Sequence, residues 1–243
     1  MDARIPGSLI LACGCCLCIM GHIIDQPVKK EIRRAEQMAL RIERIAGQES
    51  FSEDTFTSLR EINGDFAFFL DTGSLGIRLP VVQASDNEYW LHHLFDGTEG
   101  ITGTAFIDAR HKEGDGVTLV YGHAVSGQPD LMFSPLKKLC DPDVFSRADY
   151  IHLYKETCTE TYEITDVIIW DSSRPDFFTT AFRNFTPGSF ENWYTWLRTH
   201  AVITSAKPLS LEDRYLILQT CTDEYSPMRL SAVAVFHNKE QFH

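Results

Sequence analysis

The stretch Tyr215-Leu-Ile-Leu-Gln-Thr-Cys221 is a run of mainly apolar and β-branched residues that ends on a cysteine. Such a run, followed by the largely polar segment 222–227, predicts a β-strand that opens into a loop. Alternation along a strand places Gln219 and Cys221 on one face and Thr220 on the other. Because reactive groups are commonly presented where a strand opens into a loop, Cys221 is a candidate nucleophile.

Arg229 lies just beyond this loop, at the start of the next apolar run, Leu230–Phe236. If the two runs are adjacent antiparallel strands, the loop returns Arg229 to the side of Cys221. A guanidinium there would favour the thiolate and stabilise an oxyanion. A buried cysteine and a solvated arginine explain these residues alone equally well.

His123 follows another strand-like run, Val117-Thr-Leu-Val-Tyr121, after a single glycine, Gly122. Glycine lets the backbone turn sharply and presents the imidazole at the end of the strand. The neighbours His92 and His93 would point to opposite faces of a strand, so they predict no shared metal ion. His123 is therefore the candidate partner of the cysteine, and the sequence predicts neither a metal nor a cofactor.

The rest of the chain predicts a mainly β domain with flanking helices. Apolar spacing predicts helices over 27–46 and 52–62, a short one from Ser134-Pro135 and one from about Ser189, whose aromatic face is expected to pack in the core. Short runs bounded by turn residues predict strands and hence a barrel or a sandwich: Phe66–Leu70, Gly76–Val82, Gly103–Ile107, Val117–Tyr121, Ile151–Tyr154, Thr161–Ile164, Val167–Trp170, Tyr215–Thr220 and Ser231–Phe236.

Charge and cysteine usage exclude several classes of protein. The net charge is −12, from 34 acidic and 22 basic residues, which disfavours binding to nucleic acid. Four of the seven cysteines lie close together near the N-terminus, which leaves Cys140, Cys158 and Cys221 in the rest of the chain. Three widely spaced cysteines match neither a disulfide framework nor a zinc site, so free thiols are favoured over a Cys140–Cys158 pair.

The two motifs resemble those of the sortases. Val117–His123 is similar to the histidine motif of that family, and Leu218-Gln-Thr-Cys221 with Arg229 is similar to its cysteine–arginine motif. Further segments occur in the order typical of class B sortases, and the resemblance extends from Leu59 to the C-terminus: Leu59-Arg-Glu-Ile-Asn-Gly, Pro80-Val-Val-Gln, Asp86-Asn-Glu-Tyr-Trp-Leu and Gly103-Thr-Ala-Phe-Ile-Asp-Ala-Arg110. The resemblance implies a closed eight-stranded β-barrel with N-terminal helices and a longer helix before the cysteine strand.

The resemblance also implies a cysteine transpeptidase of the hydrolase-type peptidase class. Cys221 would cleave a C-terminal sorting signal, similar to Asn-Pro-X-Thr-Asn/Gly, after its Thr through a thioester, and the secreted protein would pass to a peptidoglycan amine. His123 would transfer protons and Arg229 would steady the oxyanion. The residues implied to bind the substrate are Asn87, Leu91, Gln219, Thr220 and Asp223.

Several departures from the family pattern leave other functions open. Ala124 follows the histidine where the family usually has Asn, and Gln219 stands two residues before the cysteine where it usually has Ser. Ala67-Phe68 replaces an expected Gly-Trp. The alternatives are a hydrolytic Cys–His surface protease, a pilin-polymerising sortase, and an inactive surface-binding module on the same fold.

The segment Gly7–Ile24 carries no charged residue and is close to the length that crosses a bilayer. We therefore expect an uncleaved signal anchor over 1–25, helices over 26–64 and a catalytic domain over 65–243. This predicts a single-pass protein of the cell membrane with its domain outside the cell, in a Gram-positive-type envelope. The basic residues favour the opposite orientation, since Arg4 precedes the segment and a basic cluster follows it: Lys29, Lys30, Arg33 and Arg34.

Overall fold

The protein forms a β-barrel with helices packed on its outside. The computed structural model describes residues 7–47, 51–83, 85–173, 185–221 and 227–242, with side chains from Pro27 onward. The helices are α1 (Gly7–Ala46), α2 (Glu53–Ile62), α3 (Pro142–Ser146) and α4 (Pro187–His200). The strands are β1 (Phe66–Asp71), β2 (Arg78–Gln83), β3 (Ala105–Ile107), β4 (Val117–Tyr121), β5 (Ile151–Tyr154), β6 (Cys158–Asp171), β7 (Ala201–Thr204), β8 (Tyr215–Cys221) and β9 (Met228–Gln241).

Eight of these strands close into the barrel, in the order β5-β1-β2-β3-β4-β8-β9-β6, and β6 pairs back with β5. β7 pairs with β6 outside the ring. Most neighbours are antiparallel, but β2 pairs with β3 and β4 with β8 in parallel. The predicted closed eight-stranded barrel with N-terminal helices and a longer helix before the cysteine strand is confirmed.

Two strands differ from the sequence prediction. The runs predicted at 161–164 and 167–170 belong to the single long strand β6. The polar residues between them, Thr165 and Asp166, are fully buried and lie at a β-bulge, so they bend the strand without ending it. β7 was not predicted, because only four residues form it and alternate ones are exposed.

The helices cover the barrel through two apolar clusters beyond its interior. Trp193 and Leu197 of α4 are fully buried against strand residues such as Tyr215, which confirms that the aromatic face of this helix belongs to the core. Phe56 and Leu59 of α2 pack on β1 together with the end of α1. α2 begins as predicted, with the Ser52 hydroxyl accepting the backbone N–H of Thr55 at 3.2 Å.

α1 is one continuous helix that includes Pro27 and ends at Ala46. Its last turns pack on the barrel through Ala35, Ile42 and Ala46, each at most 6% exposed. Arg78 of β2 holds the C-terminal end of α1, since its guanidinium donates to the Glu43 carboxylate at 3.1 Å and to the Gly47 carbonyl at 2.8 Å.

The structure contradicts the predicted signal anchor and the predicted single-pass membrane localisation. Across the part of the chain that it describes, no helix combines the length and the apolar composition needed to cross a bilayer. The described side chains of α1 are those of an amphipathic helix, with charged positions between the apolar ones that face the barrel. The side chains before Pro27 lie outside the described residues.

Two leucine-sized side chains on α1 provide a test of its packing. Ile42→Ala removes a side chain that is 5% exposed, so we expect it to lower the free energy of unfolding by about 2–4 kcal/mol. Leu40→Ala on the same helix removes one that is 58% exposed and should change it by less than about 0.5 kcal/mol. Urea denaturation of the full chain measures both, and equal effects would show that α1 does not pack as described.

Candidate active site

Cys221 and Arg229 lie opposite each other where β8 ends and β9 begins. The strands are antiparallel, and Cys221 is the register partner of Arg229. Both residues are half-buried. The residues 222–226 lie outside the described part of the chain, and with them the predicted substrate-binding residue Asp223.

His123 reaches the same rim of the barrel from the other side of β8. β4 and β8 are parallel, with Tyr121 opposite Gln219, and the Gly122 N–H donates to the Gln219 carbonyl at 3.1 Å. Because parallel strands have their carboxyl ends at the same edge of a sheet, His123, two residues after β4, lies at the same rim as Cys221. β8 is thus flanked by the histidine strand on one side and the arginine strand on the other.

The imidazole of His123 is held by a backbone carbonyl. Its Nε2 atom lies 2.9 Å from the oxygen of Leu91, in the short 3₁₀ helix Tyr89–Leu91. A carbonyl oxygen only accepts, so this hydrogen bond requires a proton on Nε2. The ring orientation therefore depends on the segment that also carries the predicted substrate-binding residues Asn87 and Leu91.

Gly122 allows the backbone before His123 to lie against a buried ring. A Cβ atom at this position would be 2.7 Å from the side chain of Phe133, which is fully buried. The Phe133 N–H also donates to the His123 carbonyl at 2.9 Å. Met132, just before it, has φ of 52°, an unfavourable value for a side chain of this kind. The histidine backbone is thus fixed by close packing on one side.

A pocket of about 380 Å³ joins these groups. It brings together every predicted site residue that the structure describes, and adds Phe106, Tyr121 and Gly122. The full lining is Asn87, Leu91, Phe106, Tyr121, Gly122, His123, Gln219, Thr220, Cys221 and Arg229.

The sequence analysis did not select Phe106 and Tyr121. Strand alternation was a usable signal for Tyr121, since it lies two residues before His123 and therefore on the same face. Phe106 is the register partner of Tyr121 on β3, and its ring centroid lies 5.3 Å from that of Tyr121. That pairing required the tertiary structure.

The pocket floor carries two polar side chains from β8. Gln219 is 9% exposed, and its Oε1 atom accepts the Ser231 hydroxyl at the long distance of 3.5 Å, while Ser231 accepts the Trp170 indole N–H at 3.1 Å. Thr220 is 3% exposed, and its hydroxyl has no hydrogen-bond partner within the described part of the chain. A buried hydroxyl without a partner costs free energy.

Comparison with known proteins identifies the family to which this barrel belongs. The family model described as the Sortase domain matches residues 70–237, which include Cys221, His123 and Arg229. The chain belongs to the sortase family. Sortase B of Listeria monocytogenes is 29% identical over 174 residues, which make up 70% of this chain and 68% of that protein.

Solved structures of sortase B share the same fold. The Clostridium perfringens enzyme matches with a TM-score of 0.68 and 27% identity, covering 75% of this chain and 99% of that one. A Staphylococcus aureus sortase B–substrate complex matches with a TM-score of 0.68 and 18% identity, covering 88% of this chain and 97% of that one. The class B sortase predicted from the sequence is confirmed.

The contact between Gly122 and Phe133 can be tested with two glycines on either side of β4. In Gly122→Ala the new methyl group would overlap the Phe133 ring, and we expect the free energy of unfolding to fall by about 1–3 kcal/mol. At Gly116, just before β4, a Cβ atom would meet nothing within 4 Å, so Gly116→Ala should be neutral or slightly stabilising. Urea denaturation distinguishes the two variants, and a Gly122→Ala protein with an unchanged free energy of unfolding would contradict the described packing.

Proposed function

We propose that this sortase is a cysteine transpeptidase that cleaves a C-terminal sorting signal similar to Asn-Pro-X-Thr-Asn/Gly and joins the new end to a peptidoglycan amine. The observation that carries the proposal is the convergence of Cys221, His123 and Arg229 on one pocket. A thiol can form a thioester, an imidazole can transfer protons and a guanidinium can stabilise an oxyanion, so together these groups can carry out acyl transfer. The family membership supports the same reaction.

The first half of the proposed reaction forms the thioester. The Cys221 thiolate attacks the carbonyl carbon of the Thr in the signal, and the carbonyl oxygen takes up the negative charge. Arg229, opposite Cys221 in the strand register, stabilises that charge. The C–N bond then breaks, His123 gives its proton to the leaving amine, and an acyl–sulfur bond to Cys221 remains.

The second half transfers the acyl group. The incoming amine attacks the thioester carbon and gives up a proton to His123, and the C–S bond breaks to restore the thiolate. Because His123 acts first as acid and then as base, its ring must keep one orientation, and the hydrogen bond to the Leu91 carbonyl supports that.

The pocket supports a peptide as the substrate. Its walls combine apolar side chains, Leu91 and Phe106, with the amides of Asn87 and Gln219, which suits an extended peptide with polar backbone groups. A Staphylococcus aureus sortase B of the same fold has been solved with a substrate. We infer that Asn87, Leu91, Gln219 and Thr220 contact the sorting signal here.

Peptide cleavage tests the proposed function. Quenched-fluorescent Asn-Pro-X-Thr-Asn and Leu-Pro-X-Thr-Gly peptides would be incubated with the protein, with and without an added amine. We expect cleavage by the wild type and a loss of at least about 1,000-fold in kcat/KM for Cys221→Ala and His123→Ala. Arg229→Lys keeps the charge but loses the planar guanidinium, so we expect a loss of about 100-fold.

Cys140→Ala is the matched control, since Cys140 is also half-buried but lies outside the pocket. Burial raises the pKa of its thiol, which keeps it unreactive, so this variant should match the wild type. Ligated product in the presence of amine supports the transpeptidase, and release to water alone would favour the hydrolytic protease. If no peptide is cleaved and Cys221 reacts slowly with an alkylating reagent, the proposed function is wrong and the inactive surface-binding module is favoured.

A further inference from the structure

Asp108 lies directly behind the wall of the pocket, at the residue after β3. It is 4% exposed and does not itself line the pocket. Its carboxylate accepts the Nε and Nη2 groups of Arg110 at 2.9 and 2.7 Å and the backbone N–H of the same residue at 2.9 Å. A buried carboxylate that accepts this many hydrogen bonds is held in one position.

Two of the remaining donors to Asp108 are side chains of the pocket wall. The Tyr121 hydroxyl donates to its Oδ2 atom at 2.8 Å, and the Asn87 amide nitrogen lies 3.4 Å from the same oxygen. The Asn87 amide oxygen accepts the Ala109 N–H at 2.7 Å. Both ends of the Asn87 amide are therefore engaged, so its orientation in the pocket is set by the segment around Asp108.

Asp108 is ionised and Tyr121 is protonated at neutral pH. Burial acts to raise the pKa of Asp108, but the hydrogen bonds and charge of Arg110 and the Tyr121 hydroxyl outweigh it and hold the pKa at about 2. Burial and the neighbouring carboxylate raise the pKa of Tyr121, so its phenol keeps the proton that it donates. Arg110, whose side chain is 56% exposed, supplies the balancing positive charge from the surface.

We propose that Asp108 is a positioning residue, whose carboxylate holds Asn87 and Tyr121 in the geometry that receives the substrate peptide. It joins three segments of the chain: the loop after β2, the loop after β3 and the end of β4, two residues before His123. The part of the proposal that concerns the peptide rests on the proposed function. The part that concerns the side chains does not.

Asp108→Asn is the variant that tests this role. Donors approach both carboxylate oxygens, so whichever way the new amide turns, its NH₂ group faces a donor and a hydrogen bond is lost. We expect KM for the cleaved peptide to rise about tenfold while kcat stays within about threefold, because the loss is one of substrate binding.

Asp71→Asn is the matched control. Asp71 is 7% exposed, forms an ion pair with Arg78 and accepts the Gly73 N–H at 2.8 Å, so it repeats the arginine and backbone contacts of Asp108. It does not line the pocket. We expect the two variants to lose comparable stability, with KM unchanged in Asp71→Asn. Equal KM values in the two variants, or a loss confined to kcat, would overturn the proposal.

Tyr121→Phe covers the case in which Asp108→Asn does not fold. It removes only the hydroxyl that bonds to Asp108 and keeps the ring in the pocket wall, and we expect KM to rise about threefold to fivefold. An unchanged KM in this variant would count against the proposal.

A second measurement needs no substrate and so separates the two proposals. In the ¹⁵N-labelled protein, the side-chain amide signals of Asn87 should be distinct and slow to exchange in the wild type and in Asp71→Asn. In Asp108→Asn, or in Tyr121→Phe if that protein is used, they should shift and exchange faster. Unchanged Asn87 signals overturn the positioning role. If the wild type cleaves no peptide, the proposed function fails, while this measurement still decides whether Asp108 fixes Asn87.

Discussion

The parallel pairing of β4 with β8 is the constraint on which the site depends. Together with the antiparallel β8–β9 pair, it places the ends of three strands at one rim of the barrel, with Cys221 on the central one. A closed barrel has little freedom to shear, so its hydrogen-bonded register holds these strand ends in place.

Around this rim, smaller contacts refine the geometry. The Leu91 carbonyl orients the imidazole, the Phe133 ring supports the turn at Gly122, and Asp108 sits behind the side chains of the wall. Each contact comes from a different loop, yet each acts on a residue at or beside the end of a strand. The strands therefore set where Cys221, His123 and Arg229 lie, and contacts from other segments set how the neighbouring side chains are oriented.

The strands that lead to Cys221 and His123 were predictable because their sequences are locally unambiguous. Tyr215–Cys221 and Val117–Tyr121 are short, largely apolar runs bounded by turn residues in the sequence, and Cys221 ends the first while His123 follows the second by two residues. The long strand β6 was predicted as two strands because the polar pair Thr165 and Asp166 resembles a turn in the sequence. In the structure both residues are buried at a β-bulge, and the strand continues through them. The contacts of Asp108 were also not predicted, since its donors Asn87 and Tyr121 lie far apart in sequence. Side-chain partners of this kind follow from the closed barrel and not from local pattern.

The β4–β8 pairing also has a kinetic consequence. Val117 pairs with Tyr215, about a hundred residues later, and pairings between such distant segments are slow to form. During synthesis β4 and His123 emerge long before β8 and Cys221, and Arg229 follows at the start of β9. The Cys221 thiol is thus among the last parts of the chain to gain its neighbours, so a truncated or partly folded chain would lack the pocket that Cys221 shares with His123 and Arg229.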